Sequence, residues 1–163
     1  RPFSASRTST RRERSAAAPT RIILGVDGSR SSNMAVDILE QREWPRGTEV
    51  RVLTAVDPQL SMAIAYHFAC QEHAGDDEAD VVSTARNHAD SIVGRLTQSD
   101  LSVSAKVEPG DPKRFLIEEA RTWNADCIFV GAKGHSRLER FLLGSVSAAV
   151  AARAGCTVEV VRP

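Results

Sequence analysis

The sequence predicts an α/β fold, a five-stranded, mostly parallel, doubly wound sheet with helices on both faces. Three observations carry this prediction. From residue 21 onward, short β-branched apolar runs alternate with segments of helical period. Several of those segments have punctuated ends, as at Asp111-Pro112, where an aspartate cap precedes a proline at the first helical position. A glycine-punctuated loop joins the apolar run Cys127-Ile-Phe-Val130 to an Ala-rich helical stretch, so a crossover connection follows a strand there.

In chain order, residues 22–27 form the first strand and end at Gly28-Ser29. Residues 31–43 form a helix with Ala35, Ile38 and Leu39 on one face, stopped by Trp44-Pro45. Residues 50–56 are the second strand. Ala79, Val82, Ala85, Ala89, Ile92, Val93 and Leu96 recur by threes and fours, the spacing of an amphipathic helix. Leu101, Val103, Ala105 and Val107 alternate with polar residues, which makes a third strand exposed on one face. Phe115, Leu116, Ala120 and Trp123 supply the buried side of the helix that starts at Asp111. Residues 126–130 and 158–161 are the fourth and fifth strands, with a last helix between them that Gly155 ends. In such sheets ligands bind beyond the carboxyl ends of the strands. Asp27, Val56 and Gly131 all fall there.

Length and composition fit one domain at residues 21–163, behind a basic arm at residues 1–20. The arm carries Arg1, Arg7, Arg11, Arg12 and Arg14 against Glu13 alone. Its Arg-, Ser- and Ala-rich composition is first that of a disordered tail or interdomain linker, with the remnant of a transit peptide as the lesser reading. Beginning with arginine, the chain is expected to be a processed product or part of a longer polypeptide. Lys plus Arg and Asp plus Glu are 21 each, so formal charge is zero and general nucleic-acid binding gains no support. Cys70, Cys127 and Cys156 are far apart without a Cys-x-x-Cys pair, which fits a reducing, cytoplasmic setting. Cys127 reads as a small buried apolar residue. No apolar run approaches the roughly 20 residues of a membrane helix, so no membrane association is expected.

The segment Gly131-Ala-Lys-Gly-His-Ser-Arg-Leu-Glu-Arg-Phe-Leu-Leu-Gly-Ser-Val-Ser147 is the most informative one for function. Glycines at 131, 134 and 144 remove side chains where a backbone would approach a ligand closely. Ser145 stands at a helix start, where unpaired N–H groups and the helix dipole favour an anion. The features describe a cradle for nucleotide phosphates. The spacing Gly-x2-Gly-x9-Gly-Ser is neither a P-loop nor Gly-x-Gly-x-x-Gly.

That spacing resembles the ATP-binding signature of the universal stress protein family. The likeness extends from about Arg21 to Arg162 and includes Ile22-Ile-Leu-Gly-Val-Asp-Gly-Ser29, Val52-Leu-Thr-Ala-Val-Asp57, Ala125-Asp-Cys-Ile-Phe-Val-Gly131 and Cys156-Thr-Val-Glu-Val-Val161. Thr157 departs from it, since relatives often carry proline there. The resemblance implies an adenine nucleotide alpha hydrolase-like fold that binds ATP, with Mg²⁺ as the companion of the phosphates. It implies that Gly131, Gly134, Gly144 and Ser145 hold the phosphates, that Val146 and Ser147 lie beside them, and that Asp27 and the main chain of Val56 contact the nucleoside. It also implies a homodimer paired through the last strand, and a regulatory role in stress response rather than catalysis.

Read without the resemblance, several residues stay open. Asp27 fits a helix-capping turn as well as a ligand contact. Lys133 is either a mobile cation for a phosphate or a solvated loop lysine, and His135 has no nucleophile to serve. His67, Cys70 and His73 lack the fourth ligand of a structural metal site, so no metal site is expected. Arg137, Glu139 and Arg140 form a solvated face beside Leu138, Phe141 and Leu142. Residues 58–76 are a long connection of the kind that serves as a lid. No general base is evident, so catalytic residues are not expected. Two further readings remain, a slow ATPase on the same scaffold and a nucleotide-independent dimerisation module of a longer protein.

Overall fold

The computed structural model describes residues 19–56, 78–134 and 143–163. Residues 1–18 of the basic arm, the 58–76 connection with His67, Cys70 and His73, and the stretch from His135 to Leu142 lie outside the described residues. The strands are β1 (Arg21–Gly25), β2 (Glu49–Val56), β3 (Ser102–Pro109), β4 (Cys127–Gly131) and β5 (Thr157–Val161). The helices are α1 (Arg30–Gln41), α2 (Glu78–Leu96), α3 (Pro112–Trp123) and α4 (Ser145–Arg153), and one 3₁₀ turn, Thr97–Ser99, follows α2.

The sheet order is β3-β2-β1-β4-β5 and every pairing is parallel. β1 is central because it is the strand most fully covered. Ile22, Leu24 and Phe129 face one core with Val50, Val52, Leu39 and Ala89, while Ile23, Leu53, Ile128 and Val130 face another with Leu116 and Val150. Helices α1 and α2 close the first face, and α3 and α4 the second. A strand buried on both faces reads as the continuous apolar run Ile22-Ile-Leu24 instead of an alternating one. Truncating any of the isoleucines or leucines among these to alanine should cost about 2–5 kcal/mol.

Parallel pairing forces each connection to cross the sheet, and the order shows where the winding reverses. The chain runs outward from β1 to β2 and β3, then returns to β4 on the other side of β1. The helices that follow β1 and β4 therefore leave on opposite faces, and their first turns flank a crevice at the strands' carboxyl ends.

Two polar links pin the outer parts. Glu119, 8% exposed on α3, pairs with Arg51 of β2 and with Lys106 Nζ of β3 at 3.0 Å. The Arg51 guanidinium also lies 4.1 Å from the centre of the Trp123 ring. Burial pushes the Glu119 carboxyl up, but the hydrogen bonds from Lys106 and Arg51 outweigh it and hold the group below its ordinary value. Its contribution is thus complete above the ordinary carboxylate range and fades as pH falls through the lowered value. On the opposite face Arg42 grips Glu159 of β5 with two hydrogen bonds of 2.8 and 2.7 Å. Cys127 is half-buried; burial, with the Glu159 carboxylate nearby, pushes its thiol up to about 11, so it stays protonated at neutral pH.

Candidate functional site

The first wall of the crevice is the start of α1. Asp27 is exposed, and its Oδ1 accepts the Ser29 N–H at 2.9 Å, an Asx turn of the kind aspartate favours. Gly28 sits at φ +78°, a left-handed conformation that L side chains rarely adopt. Ser29 is the N-cap, its Oγ accepting the Ser32 N–H at 3.3 Å, while Ser32 Oγ donates back to the Ser29 carbonyl at 3.0 Å. Ser29, Ser31 and Ser32 are all buried.

The loop after β4 is laid directly on that turn. A Cβ at Gly131 would stand 2.6 Å from the Ser32 nitrogen and 2.7 Å from Ser31 Oγ. The missing side chain of Gly131 thus makes room for α1, a packing role in addition to the phosphate contact that the resemblance implies. The Lys133 carbonyl accepts Ser29 Oγ at 3.1 Å and Ser31 Oγ in a shorter contact, and the Lys133 N–H donates to Ser31 Oγ at 3.2 Å. A Cβ at Gly134 would meet Asp27 Oδ2 at 2.7 Å, so this glycine lets the loop pass over the carboxylate.

The second wall is the start of α4. Gly144 is its N-cap and provides no side-chain cap. The Gly144 N–H donates to the Ala132 carbonyl at 2.7 Å, and a Cβ here would stand 3.1 Å from that oxygen. The first intrahelical bond runs from Ala148 N–H to the Gly144 carbonyl at 2.9 Å. The N–H groups of Ser145, Val146 and Ser147 precede it, so the helix supplies them no acceptor. Ser145 is exposed at the first helical position, Val146 is half-buried against the second core, and Ser147 is 2% exposed. The Ser147 hydroxyl turns inward, 3.0 Å from the carbonyls of both Ala132 and Gly144, and braces the loop.

The remaining predicted residue, Val56, ends β2 with its side chain buried and its carbonyl accepting the Gly110 N–H at 2.9 Å. A carbonyl has two lone pairs, and among the described residues only the Gly110 N–H engages this one. Asp27, Lys133, Gly134, Gly144 and Ser145 thus border one crevice, whereas Gly131 and Ser147 act as its framework. Ser29 and Ser31 join that framework and escaped the sequence reading. Their signal was the polar run Gly28-Ser-Arg-Ser-Ser32 at a helix start, where serine is usually read only as a cap. A separate polar cavity of about 290 Å³ lies at the amino ends of the strands, lined by Pro19, Arg21, Glu49, Asn124 and Asp126. There the Arg21 main-chain N–H donates to Asp126 Oδ2 at 2.8 Å, and the Arg21 guanidinium bonds Glu49 at 3.4 Å.

Comparison with known proteins bears on the same elements. The model of the universal stress protein family matches residues 19–162, nearly the whole chain. This chain belongs to the universal stress protein family. It is 29% identical over 100 residues to universal stress protein Sll1388 of Synechocystis, a match covering 61% of this chain and 62% of the relative's length. Among solved structures, hypothetical protein MJ0577 superposes with a TM-score of 0.74 at 22% identity, covering 88% of this chain and 96% of that one. A universal stress protein in complex with cAMP matches at TM-score 0.56 and 26% identity, covering 90% and 98%. An Arabidopsis thaliana family member with AMP bound shares the fold at TM-score 0.58 and 16% identity, covering 88% and 92%.

Proposed function

We propose that this universal stress protein binds ATP in the crevice between the first turns of α1 and α4, as a regulatory module in stress response. The observation that carries the reading is the start of α4. Its glycine cap has no side chain to satisfy the first-turn N–H groups, whereas α1 is capped by Ser29 and α3 by Asp111. Three N–H groups at the positive end of a helix dipole suit a phosphate, and Lys133 borders the same opening. The complex of a 26%-identical relative with cAMP supports the choice of an adenine nucleotide. In this reading Asp27 accepts a ribose hydroxyl and the second lone pair of the Val56 carbonyl faces the adenine edge. Mg²⁺ comes with the triphosphate, which usually carries it.

Mass spectrometry of freshly purified, denatured protein should release an adenine nucleotide, and calorimetry should give saturable ATP binding. Failure of both would overturn the reading. The module is a binder that works in a reducing, cytoplasmic setting and does not turn ATP over efficiently. Phosphate release at saturating ATP tests this, because sustained turnover would make it an ATPase instead.

The same proposal includes a homodimer through β5. This strand is at the sheet edge, pairs only with β4 among the described strands, and leaves Val158 and Val160 only partly buried against the second core. An edge of this kind invites a second copy, and identical strands pairing about a two-fold axis give a closed dimer. Sedimentation should show a dimer, and Val160→Pro should convert it to monomer. A wild-type monomer would remove the interface.

A further inference from the structure

We infer that Ser31 is a positioning residue of the nucleotide site, one that aims the Gly134 N–H into the crevice. The inference rests on the ATP reading above and adds a residue that touches no ligand. Ser31 Oγ holds Lys133 from both sides, accepting its N–H at 3.2 Å and donating to its carbonyl in the shorter contact. Ser29 Oγ adds a second donor to that carbonyl at 3.1 Å. The Lys133 carbonyl is thereby turned toward α1. No cis peptide bond occurs among the described residues. In a trans peptide the N–H points opposite to the C=O of the same unit. The Gly134 N–H is consequently turned away from α1, toward the opening bordered by Gly144 and Ser145.

The preceding peptide is set from the other wall. The Ala132 carbonyl accepts the Gly144 N–H at 2.7 Å and Ser147 Oγ at 3.0 Å, so its partner N–H, that of Lys133, faces Ser31. Two successive peptides are thus locked in alternating directions by two helices. Gly131 makes the lock possible, since a Cβ there would crowd Ser31 Oγ at 2.7 Å. The run Gly131, Ser31, Lys133, Gly134 is a continuous set of contacts from the sheet to the site. Releasing Ser31 would let the Lys133–Gly134 peptide rotate and withdraw a donor from the phosphates, while the nucleoside contacts at Asp27 and Val56 stay in place.

The test compares ATP with adenosine on the intact chain. Ser31→Ala should weaken ATP binding about tenfold, the effect of losing roughly one well-made hydrogen bond to a charged group, and leave adenosine affinity unchanged. Ser31→Cys, close in shape but a poor hydrogen-bond partner, should do the same and serves if the alanine variant folds badly. Amide exchange at Lys133 in the nucleotide-free protein should accelerate in both variants. Equal losses of ATP and adenosine affinity, or no loss of either, would overturn the positioning role. A wild-type chain that binds neither ligand would instead sink the nucleotide reading, a result visible before any variant is made.

Discussion

The first turns of α1 and α4 stand on opposite faces of the same crevice, and they differ in what satisfies them. At α1 the protein supplies its own partners. Asp27 holds the Ser29 N–H, Ser29 caps Ser32, and Ser29 with Ser31 fastens the loop after β4. At α4 the cap is Gly144, the nearby hydroxyl of Ser147 faces inward, and the N–H groups of the first turn are left to the crevice. One terminus fastens the loop after β4, and the other has no side-chain cap of its own, which is why the proposed nucleotide site is placed there. A serine at a helix start and a glycine at a helix start therefore carry opposite functional weight here. The difference follows from the cap itself, since Ser29 carries a hydroxyl that reaches the Ser32 N–H and glycine has none, although both residue types are common N-caps.

The contrast predicts opposite outcomes for substitutions on the two walls. The largest effect belongs to Gly131→Val. Its side chain would enter the backbone of α1 at Ser31 and Ser32, which does not yield like a flexible side chain. Stability should fall by about 3 kcal/mol, the upper end of ordinary overpacking, with loss of ATP binding as a consequence. An unchanged melting temperature with binding abolished would mean that Gly131 serves the phosphates after all.

Ser145→Glu probes the open wall. A carboxylate in the first turn favours the helix dipole by about 0.3–1 kcal/mol, so stability should hold or rise. ATP affinity should fall at least tenfold, through repulsion and occupation of the same N–H groups. A parallel fall in stability and affinity, or unaltered affinity, would break the distinction between the walls. Ser29→Ala probes the closed wall by removing a helix cap and one donor to Lys133. It should cost about 1 kcal/mol of stability in chemical denaturation, and a stability equal to wild type would show that the cap is dispensable.

The smallest effect is expected at Asp27, which borders both walls. Asp27→Ala removes one turn hydrogen bond, so the stability loss should stay below about 1 kcal/mol. Adenosine affinity should drop several-fold because the ribose loses an acceptor. Calorimetry and thermal melts on the same variant separate these terms, and a stability loss with adenosine binding intact would leave Asp27 a turn residue only.

Much of this architecture was legible in the chain itself. Alternating apolar runs and helical periods determine a parallel doubly wound sheet, because each segment has one way to bury its apolar side and parallel strands need helical crossovers. Asp111-Pro112 marked the start of α3, and the observed cap is Asp111 with proline at the first helical position. Boundaries moved by a residue or two, as at α1, which spans Arg30–Gln41, because the last turns depend on caps and not on periodicity. The glycine loop was visible as a loop, but the division of labour within it was not. Gly131 and Gly144 are the same residue in sequence; one faces the backbone of α1 and the other opens a helix end. The burial of Glu119 between Arg51 and Lys106, and the grip of Ser31 on Lys133 from 102 positions away, join segments distant in the chain. Local sequence decides which conformations a segment can adopt. Only the packed sheet decides which side chains meet across it, because those contacts depend on strand order and register.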